Sequence, residues 1–220
     1  MKTLRPPEDL ILPLAFASLM FILLMVTATN YGIFTDELYY VACANHLDFG
    51  YVDHPPFVAW VTRFGLLFSS SLFALRVLPA LAGSGTVILA ALIARTIGGN
   101  RFAAAVSSLT ILCGTVFRVM FGFVSMHAYD LLFIALASCV FLRVLREGSA
   151  GFWILLGLVV GVGLNTKMTM LVFAFALFAG LVLAPERRLF RTRYPWLAAA
   201  VTFGLFLPHI LWQAAHSWLW

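Results

Sequence analysis

The sequence predicts an all-α, polytopic bundle of transmembrane helices. Of its 220 residues, 63% are hydrophobic and 10% are charged, and the mean hydropathy is +1.00. Soluble domains average about 45–50% apolar and about 25% charged residues, so much of this chain's surface must face lipid. At roughly 20 apolar residues per crossing, we expect six or seven spans in a single membrane domain, 1–220.

The apolar runs are separated by short turns, apart from one long polar segment at 30–71 that we interpret as the first loop. The first run, 10–29, is longer than the apolar core of about 7–15 residues in a cleavable signal peptide, and it therefore predicts an uncleaved signal anchor. Further runs lie at 73–94, 102–121, 126–145, 151–165, 168–184 and 195–215.

The basic residues predict the orientation. With the N-terminus inside, ten of them fall on the inner side: Lys2, Arg5, Arg95, Arg101, Arg143, Arg146, Arg187, Arg188, Arg191 and Arg193. Four fall on the outer side: Arg63, Arg76, Arg118 and Lys167. The positive-inside rule then predicts a cytoplasmic N-terminus and a periplasmic 30–71 loop in the cytoplasmic membrane. The same bias explains the net charge of +5, and no base-stacking motif suggests a nucleic-acid partner.

Two helices are predicted inside the first loop. Thr35 is expected to cap a helix whose first turn carries the acidic pair at 36–37 and which ends at Gly50. The proline pair at 55–56 is expected to open a second helix, since proline is tolerated in the first turn. Both are too apolar for a solvated loop, which predicts an interfacial position along the membrane.

Acidic residues of the predicted outer side are the first candidates for chemistry: Asp36, Glu37, Asp48, Asp53 and Asp130. Asp130 is the most informative because it lies inside an apolar run, where an ionised side chain costs about 2.5–3.5 kcal/mol. Lys167 occupies a similar position. The structural alternative is an Asp130–Lys167 ion pair, or a lysine that snorkels to the interface.

The segment Tyr-Val-Asp-His-Pro-Pro at 51–56 sets Asp53 beside His54 immediately before a helix start. This pair is a candidate for binding a divalent metal ion, which would need further ligands such as His46 and Asp36. The alternative is a plain turn in which His54 hydrogen-bonds to the backbone.

Several segments resemble one family. The sequences at 35–40 (Thr-Asp-Glu-Leu-Tyr-Tyr) and 50–56, followed by Trp60, resemble the first outer loop of GT-C membrane glycosyltransferases of the protein O-mannosyltransferase and aminoarabinose-transferase type. These include the dolichyl-phosphate-mannose-protein mannosyltransferase-like proteins of bacteria. Arg76 with 78–80, the run around Asp130, and the segments 163–167 and 207–213 are also similar, so the likeness spans nearly the whole chain.

The resemblance implies transfer of a sugar from a polyprenyl-phosphate donor to lipid A, another glycan or a protein at the outer face of the membrane. The implied catalytic base is Asp36, and the other implied catalytic acidic positions are Glu37, Asp53 and Asp130. Implied substrate-binding residues are Tyr51, His54, Arg76 and Lys167. His54 stands where the aminoarabinose-transferring branch has a lysine, so that sugar is not implied.

Two other functions stay open. In a transporter or flippase-like protein, Asp130 and Lys167 would line a substrate or proton path. Because enzymes of this family carry many more spans, the chain is expected to be the N-terminal part of a larger GT-C module, and an inactive truncated membrane subunit is the third possibility.

Overall fold

The computed structural model describes residues 10–218, in which helices are joined by turns and loops and no strand occurs. The all-α class is therefore confirmed. Ten α-helices fall within this range: α1 (Ile11–Thr27), α2 (Thr35–Asn45), α3 (Phe57–Leu66), α4 (Leu72–Thr96), α5 (Arg101–Cys113), α6 (Thr115–Phe121), α7 (Met126–Glu147), α8 (Ala150–Leu164), α9 (Thr169–Leu183) and α10 (Tyr194–Ala215). A 3₁₀ helix, Pro185–Arg191, follows α9.

Fewer helices are long enough to span a membrane than the sequence predicted. Among the described residues, α4, α7 and α10 are long and apolar enough, and two bent pairs raise the number to five if each pair is one span. The pairs are α5 with α6, bent by 65°, and α9 with the 3₁₀ helix, bent by 105°. Helix α1 has 17 residues and is about 26 Å long at 1.5 Å per residue, short of the roughly 30 Å hydrocarbon core.

The bundle has two apolar cores that share α7. In the first, α4 packs against α1, α5 and α7, and the fully buried Met20, Val58 and Phe121 belong to this core. In the second, α8 packs against α7 and α10, around the buried Val144 and Met170. Many other large apolar side chains are exposed, as expected for helices whose outer surface contacts lipid.

Helices α8 and α10 approach each other closely along two glycines one turn apart. A Cβ atom at Gly157 would lie 2.5 Å from the carbonyl oxygen of Ala198, and Gly161 is similarly crowded. The hydroxyl of Thr202 donates to the carbonyl of Gly157 at 3.0 Å. Small residues four apart allow this close backbone approach between membrane helices.

One end of the bundle, which we call the loop end, is covered by the first loop. The backbone N–H of Phe57 donates to the carbonyl of Asn165 at 2.9 Å, which joins the loop to the turn between α8 and α9. The carbonyl of Phe49 lies 2.8 Å from Nδ1 of His209 in α10. Contacts with residues far along the chain therefore hold the loop against the later helices.

The two loop helices differ in detail from the prediction. Thr35 is the first residue of α2 rather than its cap, and the carboxylate of Glu37 accepts the N–H of the preceding residue, Phe34. Helix α2 ends at Asn45, because His46 leaves the helical conformation at φ −131° and ψ 68°. Gly50, the predicted end, instead packs against α10. The predicted start of α3 after the proline pair is confirmed.

The opposite end carries most of the arginines. Arg95 ends α4 and Arg101 begins α5, while Arg146 lies in the last turn of α7. Lys2 and Arg5 lie outside the described residues. Arg95, Arg101 and Arg146 therefore lie at helix ends opposite the loop end, as the predicted topology requires. The orientation of the bundle in the membrane stays a prediction.

Candidate active site

A polar cluster lies where the first turns of α7 meet the turn before α9. The ammonium nitrogen of Lys167 is 2.9 Å from Nδ1 of His127. Asp130 is 6% exposed, and its Oδ2 accepts a hydrogen bond from the hydroxyl of Thr169 at 2.7 Å. The other carboxylate oxygen, Oδ1, is buried with no hydrogen-bond partner in the described part of the chain. Lys167 and Asp130 thus have different partners rather than forming the ion pair that the structural alternative supposed.

The first loop brings two further carboxylates to the same end. Asp36 is exposed in the first turn of α2. The negative charges of Asp36 and Asp130 both interact electrostatically with the imidazole of His127. The charges of Asp36 and Asp53 both act on Tyr40, where burial is the larger cause and the pKa rises to about 12. The structure therefore brings Asp36, Asp53 and Asp130 to one end of the bundle, although they are far apart in the chain.

Glu37 faces the bundle interior and is fully buried. Arg76 donates to both of its carboxylate oxygens, from Nε at 2.9 Å and from Nη2 at 2.6 Å. The N–H groups of Phe34 and Val124 donate to it as well, each at 3.0 Å. Burial alone would raise the pKa of Glu37, but these hydrogen bonds outweigh burial and hold the pKa below its ordinary value of 4.5.

The guanidinium of Arg76 is also occupied by backbone. It donates to the carbonyl oxygens of Ala28, Tyr31 and Gly32, which lie between α1 and α2. The predicted substrate-binding role of Arg76 thus falls on a 3%-exposed side chain that ties the first loop to α4.

Asp53 is exposed and accepts a hydrogen bond from the hydroxyl of Tyr39 at 2.7 Å. Burial and this hydrogen bond both raise the pKa of Tyr39 above its ordinary range. A hydroxyl that stays protonated is a steady donor. Tyr39 therefore holds the carboxylate of Asp53 beside α2.

His54 is fully buried, in contrast to its neighbour Asp53. Its Nδ1 lies 2.7 Å from the carbonyl oxygen of Pro55, and its Nε2 lies 3.8 Å from the Sγ of Cys43. Three tyrosine rings surround the imidazole with centroids 4.8–5.5 Å away: Tyr39, Tyr40 and Tyr51. Burial lowers the pKa of His54, so the neutral form fits this site.

These contacts test the predicted metal ligands. Both ring nitrogens of His54 face protein atoms, whereas Asp53 is exposed and bound to Tyr39. Residues 10–218 contain no group of three histidine, cysteine or acidic side chains placed to hold a metal ion. The residues present therefore do not fit a metal ion bound by Asp53 and His54.

An open groove of about 440 Å³ is lined by residues of α2, of the 48–52 segment with Asp48, and of the end of α10. Tyr39, Tyr51 and Trp212 are among the lining residues, and Tyr39 also binds Asp53. The Trp212 ring stacks on His216 at 4.1 Å between centroids. Aromatic side chains therefore border the groove next to the loop carboxylates.

Sequence reasoning missed His127 and Thr169. His127 lies three residues before Asp130, and residues three apart on a helix are neighbours, so this spacing was an available signal. Thr169 had no such signal, because its partner Asp130 is 39 residues away.

Comparison with known proteins gives one curated relative. The chain is 27% identical over 217 residues to the lipid A galacturonosyltransferase RgtD of Rhizobium johnstonii. The aligned region covers 97% of this chain and 45% of that protein. The chain thus spans less than half the length of this relative. No solved structure matches the chain.

The family comparison covers the later part of the first loop, from residue 53, and most of the bundle. Residues 53–212 match the family model of dolichyl-phosphate-mannose-protein mannosyltransferases, which is well over half of the chain. With the apolar helices described above, this match identifies a multi-pass membrane protein, and it confirms the resemblance found in the sequence. The chain belongs to the dolichyl-phosphate-mannose-protein mannosyltransferase family of membrane glycosyltransferases.

Proposed function

We propose that this chain transfers a sugar from a polyprenyl-phosphate donor to an acceptor at the outer face of the cytoplasmic membrane, with its N-terminus in the cytoplasm. The observation that carries the proposal is the meeting of Asp36 and Asp130 around His127 and Lys167 at the loop end. A base, a cation and a buried carboxylate with an unused oxygen stand together there. Family membership supports the same reaction class.

Asp36 is the candidate general base. Its exposed carboxylate would take the proton of the acceptor hydroxyl as that oxygen bonds to the anomeric carbon. At the same time the bond between the anomeric carbon and the phosphate oxygen breaks, and the electron pair leaves with the polyprenyl phosphate. Attack opposite the leaving group inverts the anomeric configuration.

The leaving phosphate needs a positive charge more than it needs a proton. An ammonium or guanidinium group at the site stabilises the charge that develops on the leaving oxygen. Lys167 is half-buried within the cluster, whereas Arg76 is committed to Glu37 and to backbone carbonyls. We therefore assign phosphate binding to Lys167, and we assign Arg76 and Glu37 to positioning the first loop.

Asp130 would hold the donor sugar. A buried acceptor without a partner costs about 1–3 kcal/mol, and such groups in native proteins commonly receive a ligand or a water. A sugar hydroxyl that donates to Oδ1 of Asp130 would remove this cost. The ring of Tyr51, which lines the groove, and the carboxylate of Asp53, which is held by the groove residue Tyr39, would then contact the acceptor.

Lipid A is the first acceptor to test, because the curated relative is named a lipid A galacturonosyltransferase. Another glycan or a protein is an alternative acceptor of the same reaction. A transporter is less well supported, since transporter sites lie near the bilayer midplane and this cluster lies at the ends of α7 and α9.

The test is transfer by the purified protein in proteoliposomes that contain a radiolabelled polyprenyl-phosphate sugar and lipid A. We expect Asp36→Asn to lower the transfer rate by about 10²–10⁴-fold, the usual contribution of a general base. Glu147→Gln, at the other end of α7, is the matched control and should leave the rate unchanged. An unaltered rate in Asp36→Asn would remove Asp36 as the base.

The same preparation separates the alternative functions. Movement of labelled donor across the bilayer without consumption would indicate a transporter. Neither transfer nor movement by the unsubstituted chain would indicate a non-catalytic subunit.

A further inference from the structure

We propose that His127 is a positioning residue for the donor phosphate, because its neutral imidazole holds the ammonium of Lys167 without cancelling its charge. The inference rests on the proposed function, in which Lys167 binds the phosphate of a lipid-linked donor. It assigns a role to a residue that the resemblance did not mark.

The proton arrangement follows from the chemistry of the two groups. An ammonium has three N–H donors and no acceptor, so in the 2.9 Å contact Lys167 donates and Nδ1 of His127 accepts. The ring proton of a neutral imidazole must then lie on Nε2. Lys167 keeps two further N–H groups for an anionic ligand.

The backbone of Lys167 does not by itself fix the position of the side-chain ammonium. The N–H of Lys167 is bound to the carbonyl of Gly163 at 3.0 Å, which fixes the start of the side chain. Beyond it, a flexible four-carbon stem carries about 2 kcal/mol of rotamer entropy. Only a contact near the far end of the side chain can restrict the nitrogen, and His127 is that contact.

The group that binds the ammonium of Lys167 determines how much of its positive charge stays available to a phosphate. Had Lys167 paired with Asp130, a carboxylate would neutralise the cation next to the reacting centre. In the structure the two do not hydrogen-bond to each other, because Thr169 donates to Asp130 while His127 accepts from Lys167, and the charge of Lys167 acts on Asp130 only through space. A neutral acceptor thus fixes the ammonium and leaves its charge for the phosphate.

The place of His127 fits this role. The charges of Asp36 and Asp130 both act on its ring, and its Nδ1 contacts the ammonium of Lys167, so the held ammonium lies at the same end of the bundle as the proposed base. Its backbone belongs to the first turn of α7, a rigid element. A phosphate bound by Lys167 would therefore be held against a fixed helix at the end of the bundle that carries Asp36.

Three substitutions separate the two ring nitrogens. In His127→Asn, the amide oxygen can take the place of Nδ1 and accept from Lys167. In His127→Gln, the longer side chain carries its amide toward the former Nε2. His127→Ala removes both. Arg146→Gln, a cation lost at the opposite end of the same helix, is the matched control.

The readout is binding of undecaprenyl phosphate to the full chain in detergent micelles, so it does not depend on turnover. A lost hydrogen bond to a charged group is expected to weaken binding about 10- to 100-fold. We expect this loss in His127→Ala and His127→Gln, binding within about threefold of the unsubstituted protein in His127→Asn, and no change in Arg146→Gln.

A second measurement covers variants that fold poorly. In a Lys167→Ala background, His127→Gln should weaken binding no further, because the residue acts through Lys167. Retained binding in His127→Gln with loss in His127→Asn would overturn the inference, as would an additional loss in the Lys167→Ala background. Absence of binding by the unsubstituted protein would instead overturn the proposed donor class.

Discussion

Removal of Glu37 should destabilise the fold far more than removal of an exposed glutamate. The carboxylate is fully buried and accepts four hydrogen bonds, two from Arg76 and two from backbone N–H groups. Glu37→Ala leaves the 3%-exposed guanidinium of Arg76 without its counter-ion. It also leaves the N–H of Val124 in the interior without an acceptor.

The expected loss is about 3–5 kcal/mol, the range found when one partner of a buried ion pair is removed. For a chain of this size, each kcal/mol lowers Tm by about 2–4 °C, so the expected shift is about 6–20 °C. Glu147→Ala is the matched control, because Glu147 pairs with Arg143 at 3.2 Å in an exposed i, i+4 contact. Such pairs contribute about 0.3–0.5 kcal/mol, or a shift of at most about 2 °C.

The assay is thermal unfolding of both variants in the same detergent, followed by tryptophan fluorescence, over a range of pH. Because the folded pKa of Glu37 lies below 4.5, its contribution is complete above pH 4.5 and is lost as the pH falls through the folded value. The gap between the unsubstituted protein and Glu37→Ala should therefore narrow in acid. Equal shifts in the two variants at neutral pH would refute the reasoning.

Two further perturbations test other parts of the fold. Burial lowers the pKa of His54, so unfolding takes up a proton below the ordinary pKa of about 6.5. Tm should fall as the pH drops through 6.5, and less steeply in His54→Phe, as a pH series from 8 to 5 would show. Gly157→Leu should lower the free energy of unfolding by about 1–3 kcal/mol, because the new side chain forces α8 away from the carbonyl of Ala198. Gly180→Leu is the control and should be tolerated in the same thermal unfolding experiment, since nothing lies within 4 Å of a Cβ atom at Gly180. Equal Tm values for the two variants would contradict the close packing of α8 on α10.

The sequence predicted the helices well where apolar runs end at a turn. The runs 73–94 and 126–145 correspond to Leu72–Thr96 and Met126–Glu147. The number of spans was not predictable in the same way, because breaks occur inside apolar runs. Gly114 adopts an extended conformation, with ψ 116°, in the middle of the 102–121 run, and apolar composition alone does not register such a break.

The end of the bundle that carries the site was predictable from charge, but the partnerships within it were not. A carboxylate in an apolar run is costly wherever it occurs, so Asp130 stood out. Glu37 looked equivalent to Asp36 beside it, yet only Glu37 points inward to Arg76, 39 residues later. That difference depends on how the loop sits on the helices, which no local pattern encodes.

The docking of the first loop on the last helices has a consequence for biosynthesis. The contact between Phe49 and His209 joins residues 160 positions apart, and a ribosome adding roughly 5–20 residues per second needs about 8–32 s to cover that interval. During this time the nascent loop cannot pack against α10, because α10 has not yet been synthesised. The groove, which Trp212 of α10 lines together with residues of the loop, can therefore be completed only after α10 has been synthesised, long after the loop itself.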